Sequence, residues 1–150
     1  MIQSHDSIIV RTISRILIPL IQLFAFYVLF FGQHGPGGGF VGGVMLGTSV
    51  ILGILVFGSE DSSYRLAQKM IHGDGIGLLI FAGIGGLCLI GGGEFLNYSS
   101  LEIPWVDTDA HRRYLGILMT QVGVAVDIAV TAISIVLSLS LIEGREETNV

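Results

Sequence analysis

Apolar residues along the chain gather into four long runs, separated by clusters of glycine, proline and charge. A hydrocarbon core about 30 Å thick is crossed by about 20 residues at about 1.5 Å rise per residue, which is the size of these runs. The first covers residues 8–31, is entered through Arg11 and Arg15, and stops at the cluster Gly32 to Gly39. The second covers 40–57 and ends before Glu60 and Asp61. The third covers 76–96, with Asp74 in front of it and Glu94 in its expected last turn. The fourth follows Arg112 and Arg113, covers 114–142, and is closed by Glu143, Arg145, Glu146 and Glu147. As a straight helix this last run is about 44 Å long, more than the lipid core requires, so it tilts or projects into water.

The pattern therefore predicts an all-α integral membrane fold: one domain over residues 1–150, with four transmembrane helices. Between the second and third, SEDSSYRLAQKMIHGDG fits a short amphipathic linker helix, with Asp61 or Ser62 as cap and Tyr64, Leu66, Ala67, Met70 and Ile71 on its apolar side. Arg11 and Arg15 resemble the positive start of a secretion signal. A signal's apolar stretch is only about 7 to 15 residues and ends at a small-x-small site, whereas this run is longer and enters GQHGPGGGF. Arg11, Arg15, Arg65, Lys69 and Arg145 fall on the side of the termini, against Arg112 and Arg113 on the other. That asymmetry places both termini and the linker helix in the cytoplasm of a multi-pass protein of the cell membrane. Tyr98, Trp105 and Tyr114, of the belt type, flank the outer loop that carries Glu102, Asp107, Asp109 and His111.

Composition narrows the class. The chain is 51% hydrophobic and only 13% charged, against roughly a quarter charged in ordinary soluble domains. That balance excludes a disordered chain and speaks against a soluble globule. A single cysteine, Cys88, provides neither a disulfide framework nor a thiolate metal cluster. A net charge of −5 without a basic run speaks against nucleic acid as a partner. CxxC, HExxH and a haem-type histidine pair are all missing from the sequence, so no metal site and no cofactor is expected. The only lysine, Lys69, lies between apolar runs, so a membrane carboxylate has no lysine of this chain to pair with in a proton relay.

Lipid offers helices no hydrophobic reason to associate, so small residues that let backbones approach carry the packing. Gly39, Gly43 and Gly47 recur every four residues on one face of the second helix, and the third run adds Gly77, Gly83, Gly85, Gly86, Gly91, Gly92 and Gly93. Each such glycine costs up to about 1 kcal/mol relative to alanine in a helix interior. Smooth faces on two neighbouring helices suggest that helices of other chains pack there, the alternative being a self-contained bundle.

Asp127 is the sharpest feature. A central aspartate costs about 2.5 to 3.5 kcal/mol to insert, so it should face protein or water. Thr120, Gly123, Asp127, Thr131, Ser134 and Ser138 follow one another at spacings of 3, 4, 4, 3 and 4, a single polar stripe on the fourth helix. In such a place a carboxyl group can carry and release a proton or serve as an oxygen ligand for Na+; equally, it can tie its helix to a partner by hydrogen bonds. Thr120 and Thr131 join it as candidates for an ion or proton path. Arg11, Arg15, Pro19 and Gln22 share a face of the first helix, the arginines snorkelling to the interface. His34 in the outer turn and Glu94 at a helix end are further candidates for a proton or cation entrance. The turn is no nucleotide loop, because it lacks the GK[ST] ending.

Arg15 and Pro19, followed by Gly32, Gln33, His34, Gly35, Pro36, Gly37, Gly38, Gly39 and Phe40 and the continuation Gly42, Gly43, resemble the MnhB/MrpB-type component of Mrp-type multisubunit Na+/H+ antiporters. The same module is found in membrane-bound hydrogenases and related respiratory complexes. The resemblance is carried by residues 11–58 and extends over the rest through helix number and Asp127. One feature departs from it: the family's histidine follows the glycine that opens the turn, whereas Gln33 stands there in this chain and His34 comes next. The resemblance implies a small membrane subunit without a redox cofactor, in a complex that exchanges Na+ for H+ and in which larger subunits carry the proton-pumping lysines and glutamates. Its expected partners are those other membrane subunits, the lipid bilayer, and Na+ and H+ as transported ions. Two further readings remain: a scaffold that only holds other subunits in register, and an ion-translocating subunit of an energy-converting complex such as a membrane-bound hydrogenase.

Overall fold

The structure is a computed structural model and describes residues 8–32, 35–58, 69, 75–101, 106 and 108–147, with side chains described as far as residue 139. The described elements are helices, with no strand among the described residues: α1 (Ile8–Phe31), α2 (Gly39–Phe57), α3 (Ile76–Ile90), a 3-10 turn (Tyr98–Ser100) and α4 (Asp109–Glu147). Helices α1, α2 and α4 are each long and apolar enough to cross a membrane, whereas α3, at 15 residues, is not. The expected linker helix lies outside the described residues, apart from Lys69, which is helical.

Two helix boundaries differ from the sequence pattern, each for a local reason. The pattern predicts a third helix that continues to residue 96, but α3 stops at Ile90. Gly91, Gly92 and Gly93 terminate it, with Gly91 and Gly93 also lying close against Ser100: Gly92 takes φ 79°, its N–H reaches the Leu89 carbonyl at 3.1 Å, and the Gly93 N–H reaches that of Cys88 at 3.1 Å. This is a Schellman stop, which needs a residue at ease in the left-handed region. In contrast, the pattern opens the fourth helix at 114, and α4 starts five residues earlier at Asp109. The Thr108 carbonyl accepts from the N–H groups of His111 and Arg112, both at 3.1 Å, and the Thr108 hydroxyl lies 2.7 Å from His111 Nδ1. Hydropathy marks where lipid ends, not where helical hydrogen bonding ends. At 39 residues α4 is about 58 Å long.

The order of packing is α1 on α2, α2 on α4, and α3 on α4. Between α1 and α2 the chain turns through a close approach: a side chain at Gly32 would collide with the backbone of Gly38, whose N–H bonds the Val28 carbonyl at 3.2 Å. α1 then runs antiparallel to α2, bringing Gly42 against Ala25 and Leu29 and the Arg15 guanidinium 5.9 Å from the centre of the Phe57 ring. α2 runs parallel to α4. Gly39, Gly43 and Gly47 meet the backbones of Gln121, Ala125 and Ala129 in turn, and further along Val50, Ile51 and Ile54 pack on the buried Ile133 and Leu137. The glycine face of α2 is thus taken up by the chain's own α4, contrary to the expectation that it receives a helix of another chain. Two glycines of α3, Gly83 and Gly86, have no atom within 4 Å of a would-be Cβ. Gly83→Ala should therefore stabilise α3 by up to about 1 kcal/mol, read as a raised melting temperature of the purified protein.

Candidate functional site

The face of α4 that carries the polar stripe is divided by the length of α3. α3 runs antiparallel to α4 along the N-terminal half of the stripe: Gly123 lies against Ile80 and Phe81, and Gly77 lies against the backbone of Gly123 and Asp127. A Cβ on Gly77 would come within 2.5 Å of the Asp127 amide nitrogen and 2.6 Å of its Cβ, so only glycine lets the first turn of α3 cross at this point. The described part of α3 begins there. Because Gly47 is opposite Ala129 and Gly77 opposite Asp127, α3 starts about 18 Å short of the level at which α2 ends.

Above Asp127 the stripe is used structurally. Thr120 is buried and donates to the Gly116 carbonyl at 2.6 Å, the usual outlet for a hydroxyl on a membrane helix. Its oxygen also lies 3.1 Å from that of Tyr98, so with its own proton committed to Gly116 it accepts from the phenol. The Tyr98 ring covers Gly116, and Ser100 closes the same turn onto α3, 2.7 Å from the Asn97 carbonyl and 3.2 Å from that of Cys88. Thr120, a candidate for the path, thus fastens the 3-10 turn to α4. Tyr98→Phe should lower the stability of this outer cap by about 1 kcal/mol, measured by thermal unfolding, because one buried bond is lost while Thr120 keeps its second partner.

Below Asp127 the stripe is open at Thr131 and Ser138, both exposed. Asp127 is half-buried, and Ser134 Oγ is shielded yet has no hydrogen-bond partner. α2 lies on the other side of α4, along Gln121, Ala125, Ala129 and Ile133. Asp127 and Thr131 are therefore neighbours one turn apart, while Thr120 stands about 10 Å further along the axis. Glu94 lies four residues past the end of α3 and is exposed, not in a last helical turn. His34 lies outside the described residues. Among the described residues no three His, Cys, Asp or Glu side chains converge on a metal-sized site.

The sequence pattern does not single out Gly77 or Gln121, and both help to form the site. The side chain of Gln121 sits over Gly38, its Nε2 3.6 Å from the would-be Cβ, which links the α1–α2 turn to the middle of α4. An amide inside an apolar run was the available signal. Gly77 carried none beyond being one of seven glycines in its run.

A family described as "Domain related to MnhB subunit of Na+/H+ antiporter" matches residues 9–138. The chain belongs to this family. It is 31% identical over 137 residues to the Na(+)/H(+) antiporter B component of Alkalihalophilus pseudofirmus, covering 87% of this chain and 94% of that protein. The component of the same name from Bacillus subtilis is 31% identical over 97 residues, 65% of this chain and 68% of its own length. The "Putative antiporter subunit mnhB2" of Staphylococcus aureus is 26% identical over 137 residues, with 91% and 96% covered. The match to the MnhB family includes all of α2 and α3 and the whole polar stripe of α4, so it extends well beyond the glycine turn.

Proposed function

We propose that this MnhB-family chain is a small membrane subunit of a multisubunit Na+/H+ antiporter, and that Asp127, with Thr131 one turn below it, lines a cation or proton route where α4 meets other subunits. The observation that carries this reading is the half-buried Asp127 at the crossing of α3 and α4, followed along the same face by the exposed Thr131 and Ser138. An aspartate at that depth is retained against its insertion cost where it serves a path or a partner. Placing Glu94 near the outer entrance agrees with its exposure beyond α3.

The chain crosses the bilayer four times in this reading, with α3 as the apolar part of the short crossing. The antiparallel pairs α1–α2 and α3–α4 give the alternation of direction that four crossings need. Both termini then lie on one side, and the arginine and lysine count makes that side cytoplasmic. The chain contributes no redox cofactor and no catalytic chemistry of its own.

The test is Na+-driven proton exchange in vesicles that contain the intact complex. Asp127→Asn should depress exchange while the complex still assembles; unchanged exchange with normal assembly would take Asp127 off the route. The glycine-lined α2–α4 seam lends the scaffold reading no support, because it joins two helices of one chain and so holds together the subunit itself.

A further inference from the structure

We infer that the segment from Gly91 to Leu101 is a gate on the outer side: it straps α3 to α4 with two aromatic rings, and the hydrogen bond from Tyr98 to Thr120 is the latch that holds it shut. The inference rests on reading Asp127 as part of a route, and it adds what closes that route toward the outer surface.

Past the stop after Ile90 the chain folds back over the helix pair. The Phe95 ring fills the space that a Cβ at Gly85 of α3 would need, and the Tyr98 ring fills that of Gly116 on α4. Each ring thus has a glycine notch of its own, one on either helix. Ser100 adds a third contact, lying against Gly91 and Gly93 with its hydroxyl 3.2 Å from the Cys88 carbonyl. Between the two rings stands Leu96, the only non-glycine with a positive φ among the described residues, at 65°. Its turn is what sends Phe95 to α3 and Tyr98 to α4. A leucine is strained in the left-handed region and stays there only while its surroundings hold it. The closed strap therefore works against a local strain, and lifting it lets Leu96 return to an ordinary conformation.

With the strap down, the outer half of the polar stripe is shut. The Thr120 hydroxyl donates to the Gly116 carbonyl and accepts from Tyr98, so neither function is left for water or a cation. Next along α4, Gly123 lies against Ile80 and Phe81, and Gly77 closes on Asp127. Lifting Tyr98 frees the Thr120 hydroxyl, uncovers Gly116 and takes away the contacts that pin the outer end of α3 to α4.

Cys88, the only native thiol and fully buried, reports on the strap. It stands as many residues past Gly77 as Gly116 stands before Asp127, about 17 Å along antiparallel helices, which puts it level with the notch that Tyr98 fills. The intact complex in sealed vesicles is treated from the outer side with a membrane-impermeant maleimide, and the Cys88 peptide is quantified by mass spectrometry. Labelling should be slow at rest and faster during Na+-driven exchange. Tyr98→Phe keeps the ring and removes the latch, so labelling at rest should be about fivefold faster, the shift in open population that a bond of about 1 kcal/mol sets. Thr120→Val, which removes the acceptor instead, should match it. Glu94→Cys, at an exposed position of the strap, should label readily in every state. Labelling of Cys88 indifferent to driven exchange would make the strap a static cap, labelling indifferent to both latch variants would deny the bond its role, and Glu94→Cys reacting only from the inner side would put the strap on the wrong face; each overturns the inference. Asp127→Asn in the same vesicles keeps the two readings apart: unchanged exchange there would remove Asp127 from the route, whereas Cys88 labelling reports only whether the strap moves.

Discussion

Gly43→Leu is expected to separate α2 from α4 and to unfold the chain before any question of subunit assembly arises. A Cβ at position 43 would stand 2.7 Å from the Ala125 carbonyl oxygen and 2.8 Å from its Cα, and both are backbone atoms of a continuous helix that cannot step aside. The leucine adds three more carbons at the same crossing. Gly39 before it stands closer still to the backbone of Gln121, and Gly47 after it, its would-be Cβ 3.2 Å from the Ala129 Cα, continues the seam, so the helices cannot part at Gly43 without disturbing the contacts on either side. Overpacking of a well-fitted contact typically costs about 1 to 3 kcal/mol, and the backbone clash puts this substitution at or above the upper end. Against a total stability of about 5 to 15 kcal/mol, the expected result is a sharp fall in folded protein, measured as protease-resistant chain in membranes and as a lowered thermal midpoint of what remains. Wild-type resistance to protease would mean that α2 and α4 do not pack through this glycine. Gly86→Leu, at a position with nothing within 4 Å of the Cβ, is the comparison that should leave the isolated chain's fold intact.

Asp127→Asn is expected to leave the fold in place and to lower Na+-driven proton exchange by about a hundredfold, the scale of what a positioned proton-transferring group contributes. Asparagine has nearly the same shape and can still hydrogen-bond a partner helix, so assembly should persist, while the amide neither releases a proton nor brings a negative charge to Na+. Asp127→Glu keeps the charge but moves it outward by one carbon beside Gly77, where the backbone of α3 already meets the Cβ of residue 127. It should recover part of the exchange. Asp127→Leu removes the hydrogen bond as well, and a loss of assembly in that variant alone would assign the carboxyl to subunit contact rather than to ion movement. Exchange and the yield of purified complex, measured together on the three variants, separate the two roles.

Long apolar runs announce α1, α2 and α4 because a membrane helix has to be apolar around most of its circumference over a fixed length, and that requirement is written into consecutive residues. The end of α3 is less legible. Gly91, Gly92 and Gly93 have the composition of packing residues, but a glycine run in a helix and a glycine run that stops a helix look alike, and what distinguishes them is a backbone hydrogen bond from Gly93 back to Cys88. The charged start of α4 escapes the pattern for the opposite reason: Asp109 to Arg113 are helical but not apolar, so hydropathy gives no signal there.

The sequence by itself determined that the chain is membrane material, where its long helices lie, that the PGGG segment turns between the first two, and that one carboxyl stands near the middle of the last. It also contained the whole polar stripe, since spacing along one helix fixes which residues share a face. Only the tertiary structure decided how that stripe is divided. Thr120 turns inward to the Tyr98 phenol, Asp127 lies where α3 begins, and Thr131 and Ser138 are left exposed. It likewise assigned the α2 glycines to α4 and not to a foreign helix. Helical periodicity gives the direction of a side chain about its own axis, but what waits in that direction depends on how far each neighbouring helix runs, and a stop such as the one after Ile90 is set by a few backbone hydrogen bonds that composition does not reveal.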